Sequence, residues 1–187
     1  MSMHKNIEIE FRSLFNGEKH QELMAFLSKN AEDLGEDDKD TYFFIFKDKL
    51  LKVVKNISKG TGKIVLKLGR IGQKLDWEEM EIPLHIDEVD RLAQLFLALH
   101  LPGQMIYNGQ KRHNFLYKGV EIAVKHSEDW GYHAELEVVI NNSEEKSEAE
   151  EKIREVAKEL GLSLMTDEEQ LKLTRSIEAR YKREEPK

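Results

Sequence analysis

Apolar and polar residues alternate with a period of two near the N-terminus, which is the pattern of a β-strand with one buried face. Within residues 7–12 the apolar positions are odd, and the even positions are Glu8, Glu10 and Arg12. Two carboxylates on one strand face repel each other unless water, a cation or basic side chains compensate them. Acidic doublets at the same spacing recur at Glu79/Glu81 and Glu135/Glu137.

The same reasoning along the chain predicts about eight strands and four helices. Most strands are joined by tight turns, for example at residues 58–62 and 118–119, and such turns are typical of an antiparallel sheet. Residues 30–39 are acidic and contain glycine, which predicts a solvated loop. The predicted strands are 7–12, 41–46, 50–56, 63–68, 75–83, 104–117, 120–126 and 132–140, and the predicted helices are 18–29, 87–99 with Asp87 as its cap, 143–161, and one that Thr166 caps.

Charged residues recur on one face of these strands, while the opposite faces are mostly apolar. A closed or strongly curved sheet would turn the charged face inward and form a polar tunnel, with helices packed outside. A flat antiparallel sheet with water on its charged side fits the pattern equally well. The charged positions are Glu8, Glu10, Arg12, Lys52, Lys63, Lys67, Glu79, Glu81, Arg112, Lys125, Glu135 and Glu137.

Composition narrows the class of protein. A chain of 187 residues is most simply one domain, here taken as residues 1–187 with C-terminal helices over about 143–183. The net charge of −7 argues against a general affinity for nucleic acid or anionic membranes. No apolar run approaches the roughly twenty residues that span a bilayer, so we expect a cytoplasmic protein. Because cysteine is absent, any metal would need oxygen or imidazole ligands.

A cavity lined by carboxylates and by lysine and arginine has a definite chemical use. The cations bind a polyanion, and paired carboxylates hold Mg²⁺ or Mn²⁺ against it. Phosphoryl transfer depends mainly on positioning and charge neutralisation, so it requires no nucleophilic side chain. The metal would activate water for hydrolysis, or a hydroxyl of the ligand for cyclisation.

The motifs resemble, in order, those of the CYTH family, the triphosphate tunnel metalloenzymes that include class IV adenylyl cyclases and thiamine triphosphatases. Residues 8–12 (EIEFR) are similar to the opening ExExK motif, and residues 130–137 (WGYHAELE) to the closing lGxFxEiE motif. Between them follow residues 40–43 (DxYF-like), 51–54 (LRIR-like), 65–67 (LTLK-like), 79–81 (ExE) and 111–112 (the basic strand).

The resemblance implies a closed or nearly closed eight-stranded antiparallel β tunnel in an α+β fold. It implies binding of a small-molecule triphosphate and of Mg²⁺ or Mn²⁺. The implied metal ligands are Glu8, Glu10, Glu135 and Glu137, with possible help from Glu79 and Glu81. The implied substrate-binding residues are Arg12, Lys52, Lys67 and Arg112, of which Arg12 and Lys67 are assigned as catalytic.

The chain departs from the family pattern at four positions. Arg12 replaces a lysine, which keeps the charge but not the compact ammonium group. Val54 and Trp77 stand where basic residues are expected. Lys125 stands where a metal-binding aspartate is usual, so it would either weaken metal binding or contribute to holding phosphate, and it is included among the candidate substrate-binding residues.

Several functions therefore stay open. The first is a metal-dependent phosphohydrolase acting on tripolyphosphate, thiamine triphosphate or a nucleoside triphosphate. Cyclisation of ATP is a variant of this chemistry, and a non-catalytic polyphosphate or nucleotide-binding protein is the alternative that Val54, Trp77 and Lys125 favour. A helix-covered sheet that serves only as an interaction domain is a third possibility, and a homodimer is compatible with each.

Overall fold

The computed structural model describes residues 7–68, 79–100 and 104–181, which form nine β-strands and four α-helices. The strands are β1 (Ile7–Phe15), β2 (Glu32–Glu36), β3 (Lys39–Ile45), β4 (Leu50–Asn56), β5 (Thr61–Lys67), β6 (Glu79–His85), β7 (Gln104–Tyr117), β8 (Val120–Ser127) and β9 (Gly131–Ile140). The helices are α1 (Gly17–Asn30), α2 (Val89–Ala98), α3 (Lys146–Glu159) and α4 (Asp167–Arg180).

The described residues divide into two compact units. The first contains the chain up to Glu36 together with Lys111–Met165, and the second contains Asp37–Gln110 together with the chain from Thr166 onwards. Strand β7 contributes to both, because its residues up to Gln110 belong to the second unit and its later residues to the first. The assignment of the chain to one domain stays a prediction.

The first unit is a sheet in the order β1-β9-β8-β7-β2, packed on one face against helices α1 and α3. The apolar residues predicted to oppose the charged face form this core, because burying each large aliphatic side chain stabilises the fold by about 1.5–3 kcal/mol. Fully buried members are Ile9 of β1, Leu23 and Leu27 of α1, Ile122 of β8, Leu136 of β9 and Ile153 of α3.

The second unit is a sheet in the order β7-β3-β4-β5-β6, and helix α2 packs against one of its faces. Val53 of β4 and Phe44 of β3 pack there with Val89 of α2. The approach is close enough to require glycine at position 62, because a Cβ atom there would lie 2.5 Å from Cγ2 of Val89.

The opposite face of the second unit carries the predicted lysines, and the apolar residues between them are nonetheless buried. Val65 is 1 % exposed although it lies between Lys63 and Lys67 on the same face of β5. On the next strand, Leu50 and Val54 are likewise buried on the face of Lys52. Burial therefore does not follow the predicted apolar face of this strand throughout, because Leu68, just beyond β5, is 48 % exposed and Val65 is buried.

Two local predictions are corrected. Residues 30–39, expected as a loop, contain β2, which pairs antiparallel with β7 and accommodates a register shift before Gly35, whose φ is +86°. Helix α2 begins at Val89 after a 3₁₀ turn, Ile86–Glu88, so Asp87 is not its cap. The predicted cap of the last helix is confirmed, because the Thr166 side chain accepts from Glu169 N–H.

The α+β class with a large antiparallel sheet is confirmed. Nine strands are found where about eight were predicted, and within the described residues the ladder has two ends, β1 and β6. The turn and strand start predicted over residues 69–78 lie outside the described residues. No helix in the described ranges is long and apolar enough to cross a membrane.

Candidate functional site

A row of three carboxylates crosses the charged face of the first unit. Because β1 pairs antiparallel with β9, Glu10 lies directly opposite Glu137. Strand β8 places Glu121 opposite Glu137 from the other side. Directly opposed residues in such a ladder have Cβ atoms about 5 Å apart, so the three carboxylates are neighbours. Glu8 lies two residues before Glu10, on the same face of β1.

The next row across the sheet is an ion-pair cluster. Arg12 lies opposite Glu135, and its Nε donates to Oε1 of Glu135 at 2.9 Å. Its Nη2 lies 2.6 Å from Oε1 of Glu10. The guanidinium group thus bridges a carboxylate of each row, which places the predicted phosphate-binding arginine beside the predicted metal ligands.

Lys125 completes this cluster from β8. It is 3 % exposed, and its Nζ donates to Oε2 of Glu135. Burial alone would raise the pKa of Glu135, but Lys125 and Arg12 outweigh burial and hold that pKa well below its usual range. The lysine at the expected aspartate position therefore compensates Glu135.

Glu137 differs from Glu135 in its compensation by cations. Within the described residues, no lysine or arginine lies within ion-pair distance of the Glu137 carboxylate. Burial, followed by the charges of Glu8, Glu10 and Glu121, raises its pKa to about 7. Negative charge is thus in excess on this part of the face.

Arg112 joins the site from β7. Its Nε donates to Oδ1 of Asn114 at 2.6 Å, and its Nη2 lies 3.7 Å from Oε1 of Glu121. Glu121 is the functional candidate that the sequence reasoning missed. The alternation of Glu121, Ala123 and Lys125 on one face of β8 was the available signal.

An aromatic and imidazole layer adjoins the ion-pair cluster. The guanidinium carbon of Arg12 lies 5.3 Å from the ring centroid of Trp130, and that ring is 5.5 Å from the imidazole of His133. His133 is 2 % exposed, and its Nδ1 donates to the carbonyl of Gly131 at 3.0 Å. Burial lowers the pKa of His133 to about 4, so the ring is neutral at pH 7.

The second unit carries the remaining candidates. Between β5 and β6, Lys67 lies opposite Glu79 and Val65 lies opposite Glu81. Between β5 and β4, Val65 lies opposite Lys52. Lys63 and Glu81 form an ion pair at 2.6 Å, with both side chains more than 40 % exposed. The side chain of Glu79 and all of Trp77 lie outside the described residues, and Val54 is buried.

The carboxylates of this face are the candidate ligands for a divalent cation. In the described part of the chain, no three acidic or histidine side chains already converge on one point. The carboxylates of Glu8, Glu10, Glu121 and Glu137 nonetheless share one face and are the hard oxygen donors that Mg²⁺ and Mn²⁺ prefer. The uncompensated charge around Glu137 fits such an ion, whereas Glu135 is already compensated by two cations.

No family model matches the chain, and no curated protein matches it. Solved structures do match over nearly its whole length. The PH1012 protein from Pyrococcus horikoshii is 23 % identical, with a TM-score of 0.66 over 85 % of this chain and 94 % of that one. A candidate adenylate cyclase from Vibrio parahaemolyticus is 15 % identical, with a TM-score of 0.61 over 89 % of this chain and 98 % of that one.

A further match is HpAC1 from Hippeastrum, named as a candidate adenylyl cyclase and described as having a dominant triphosphatase activity. It is 15 % identical, with a TM-score of 0.61, and the match covers 86 % of this chain and 90 % of that one. At these identities the likeness concerns the fold. The chain has the fold of the CYTH-type tunnel proteins that its motifs resemble.

Proposed function

We propose that this chain is a metal-dependent phosphohydrolase that acts on a small-molecule triphosphate. The observation that carries the proposal is the carboxylate row of Glu10, Glu137 and Glu121 beside the guanidinium group of Arg12. A triphosphate needs cations for its oxygens, and a metal ion needs carboxylates, so the two rows suit the two halves of a metal–triphosphate complex.

The roles follow from position. A divalent ion held by Glu8, Glu10, Glu121 and Glu137 would neutralise phosphate charge and activate water. Arg12 is held by Glu10 and Glu135, so its guanidinium group is oriented before a phosphate arrives. Arg112 lies beside Glu121 and offers a second guanidinium group.

The remaining predicted residues have proposed roles in phosphate binding, in metal binding or in positioning. Lys52 and Lys67 stay proposed phosphate ligands, with Lys67 and Arg12 proposed as catalytic, because both lysines lie on the charged face of their strands. Glu79 and Glu81 stay proposed auxiliary metal ligands. Lys125 acts on phosphate indirectly in this proposal, since its ammonium group holds Glu135. Glu135 is then a positioning residue for Arg12 rather than a metal ligand.

Hydrolysis ranks above cyclisation because the structural match in Hippeastrum is described as dominantly a triphosphatase. The candidate adenylate cyclase from Vibrio parahaemolyticus keeps ATP cyclisation as the second function. A purely binding function is the third, and the buried Lys125–Glu135 pair favours it, because one predicted metal ligand is already compensated. A cytoplasmic location and a homodimer stay predictions.

The test is release of phosphate and pyrophosphate from tripolyphosphate, ATP and thiamine triphosphate, with Mg²⁺, with Mn²⁺ and with EDTA. We expect metal-dependent phosphate release that falls by about a hundredfold in Glu10→Gln. Glu22→Gln is the matched control, because Glu22 lies on α1 with its side chain 67 % exposed.

The outcomes separate the three functions. Pyrophosphate released from ATP without orthophosphate would indicate cyclisation. Binding of tripolyphosphate that survives EDTA, without turnover of any substrate, would replace the hydrolase with a binding protein. Equal activity of Glu10→Gln and Glu22→Gln would show that the carboxylate row is not the metal site.

A further inference from the structure

The second unit contains a cavity of about 230 Å³ that belongs to none of the sites described above. It opens on the lysine-bearing face of the sheet, where β3, β4 and β5 lie side by side. Its polar lining consists of Asp37, Lys39, Asn56, Lys59, Thr61 and Lys63.

The carboxylate of Asp37 anchors this lining. Asp37 is 3 % exposed, yet its oxygens lie 2.5 Å from Nζ of Lys39 and 3.0 Å from Nζ of Lys59. The amide of Asn56 donates to it at 2.7 Å. Burial alone would raise the pKa of Asp37, but these donors outweigh burial and hold that pKa well below its ordinary value. The carboxylate is therefore compensated and gathers two ammonium groups at the cavity wall.

The lining carries more positive than negative charge. Three lysines face one aspartate, and the ion-pair partner of Lys63, Glu81, is 48 % exposed at its side chain. Lys59 is 57 % exposed, so its ammonium group can turn to a ligand while Lys39 continues to compensate Asp37. The Asn56 amide and the Thr61 hydroxyl add neutral hydrogen-bonding groups. This combination suits an oxyanion and would repel a cation.

The cavity is separated from the predicted phosphate ligands along the same face. Lys63 precedes Lys67 by four residues on β5, which corresponds to about 13 Å along a strand. Asn56 follows Lys52 by four residues on β4, so the separation is similar on both strands. Phosphate groups bound at the two positions are therefore expected to occupy different stretches of the same strand face.

We propose that this cavity binds a second phosphate-bearing group, distinct from any phosphate held at Lys52 and Lys67. The group is either a separate small phosphate compound or the far end of a long phosphate chain. The proposal of an anion site follows from the geometry of the cavity and does not depend on the proposed function. Its occupation by the end of a long phosphate chain rests on the proposed function.

The experiment measures binding to the full chain by calorimetry, using orthophosphate, tripolyphosphate and a long inorganic polyphosphate as probes. The test variant is Lys59→Ala/Lys63→Ala. Lys49→Ala is its control, because Lys49 lies in the same unit, 43 % exposed, at the turn before the opposite end of β4. Lys67→Ala reports separately on the proposed triphosphate site, and thermal unfolding verifies that each variant is folded.

If the occupant is a separate phosphate compound, we expect orthophosphate to bind, and we expect the double variant to lower its affinity about tenfold or more. Lys49→Ala and Lys67→Ala should leave that affinity unchanged. If the occupant is the end of a long phosphate chain, we expect the double variant to lower the affinity for long polyphosphate to the same degree. The affinity for tripolyphosphate should then be unchanged. Equal binding of both probes by the double variant and by Lys49→Ala would overturn the proposal. If tripolyphosphate binds neither the wild type nor any variant, the proposed function is wrong. The orthophosphate result then still decides whether the cavity is an anion site.

Discussion

The ammonium group of Lys125 donates to Oε2 of Glu135, and Arg12 donates to Oε1 of the same carboxylate. One largely buried carboxylate thus has two cationic partners, each on a neighbouring strand. Glu10 shares Arg12, so the cluster connects β1, β9 and β8 through side chains as well as through the backbone.

Removing Lys125 should destabilise the protein. Lys125→Met leaves the largely buried Glu135 with Arg12 as its remaining hydrogen-bonded cation, so we expect a loss of about 2 kcal/mol in the free energy of unfolding. Urea denaturation measures this loss. The double variant Lys125→Met/Glu135→Leu should lose less than the sum of the single variants, because it leaves no uncompensated carboxylate. Additive losses would show that the pair does not couple.

Reversing the charge at position 125 should strengthen metal binding. Lys125→Asp removes a cation beside Glu135 and adds a carboxylate to the same face, so we expect Mn²⁺ to bind about tenfold more tightly. Calorimetric titration with Mn²⁺ measures the affinity without any substrate. Lys146→Asp makes the same change of charge at a 47 % exposed position at the start of α3 and should leave the affinity unchanged. No gain in Lys125→Asp over this control would contradict the assignment of the face as a metal site.

Glu137 should make stability depend on pH. Its folded-state pKa is about 7, above the ordinary 4.5, so its stabilising protonated form is fully present below pH 4.5 and is lost as the pH rises through 7. Glu137→Gln should therefore be more stable than the wild type at pH 8, by about 1–3 kcal/mol after allowance for solvent screening, and nearly equal to it at pH 4.5.

Thermal unfolding across this pH range measures the difference. Glu155→Gln is the control, because Glu155 is exposed on α3. A constant offset between Glu137→Gln and the wild type at every pH would show that the pKa of Glu137 is the same in the folded and the unfolded state.

His133 should contribute to unfolding in acid. Its folded-state pKa of about 4 lies below the ordinary 6.5, so its contribution is full above pH 6.5 and is lost as the pH falls through 4. His133→Asn keeps a donor for the Gly131 carbonyl and removes the titration, so the variant should lose less stability than the wild type over that range, by about 2–3 kcal/mol.

Chemical denaturation at pH 7 and at pH 4 measures this difference. His100→Asn, at an exposed position, should lose as much stability as the wild type over the same range. An identical loss in His133→Asn would mean that the buried ring is not the group that takes up the proton.

The part of the fold that was predictable from sequence is the part in which one strand face packs against helices. Ile9 and Leu136 alternate with charged residues, and both are buried against α1 and α3. Strand β5 departs from that pattern because Val65 is buried on the face that also carries Lys63 and Lys67. A period of two assumes that the charged face is solvated, so it does not predict burial there.

Strand β2 was missed for a different reason. Its sequence, EDLGE, has low strand propensity, and it is extended because β7 supplies its hydrogen bonds from about eighty residues further along the chain. A strand partner this far along the chain cannot be predicted from the local sequence. The same limit applies to the site, since the register that joins Arg12 to Glu135 depends on pairing of distant strands.

The placement of Trp130 against Arg12 gives the protein a built-in optical reporter. A guanidinium group held 5.3 Å from the indole ring alters the emission of that ring, and an anion that draws Arg12 away would change it again. The chain has two tryptophans, Trp77 and Trp130, so Trp77→Phe leaves a single fluorophore. Ligand arrival at the first unit could then be followed in real time, without a label and without turnover.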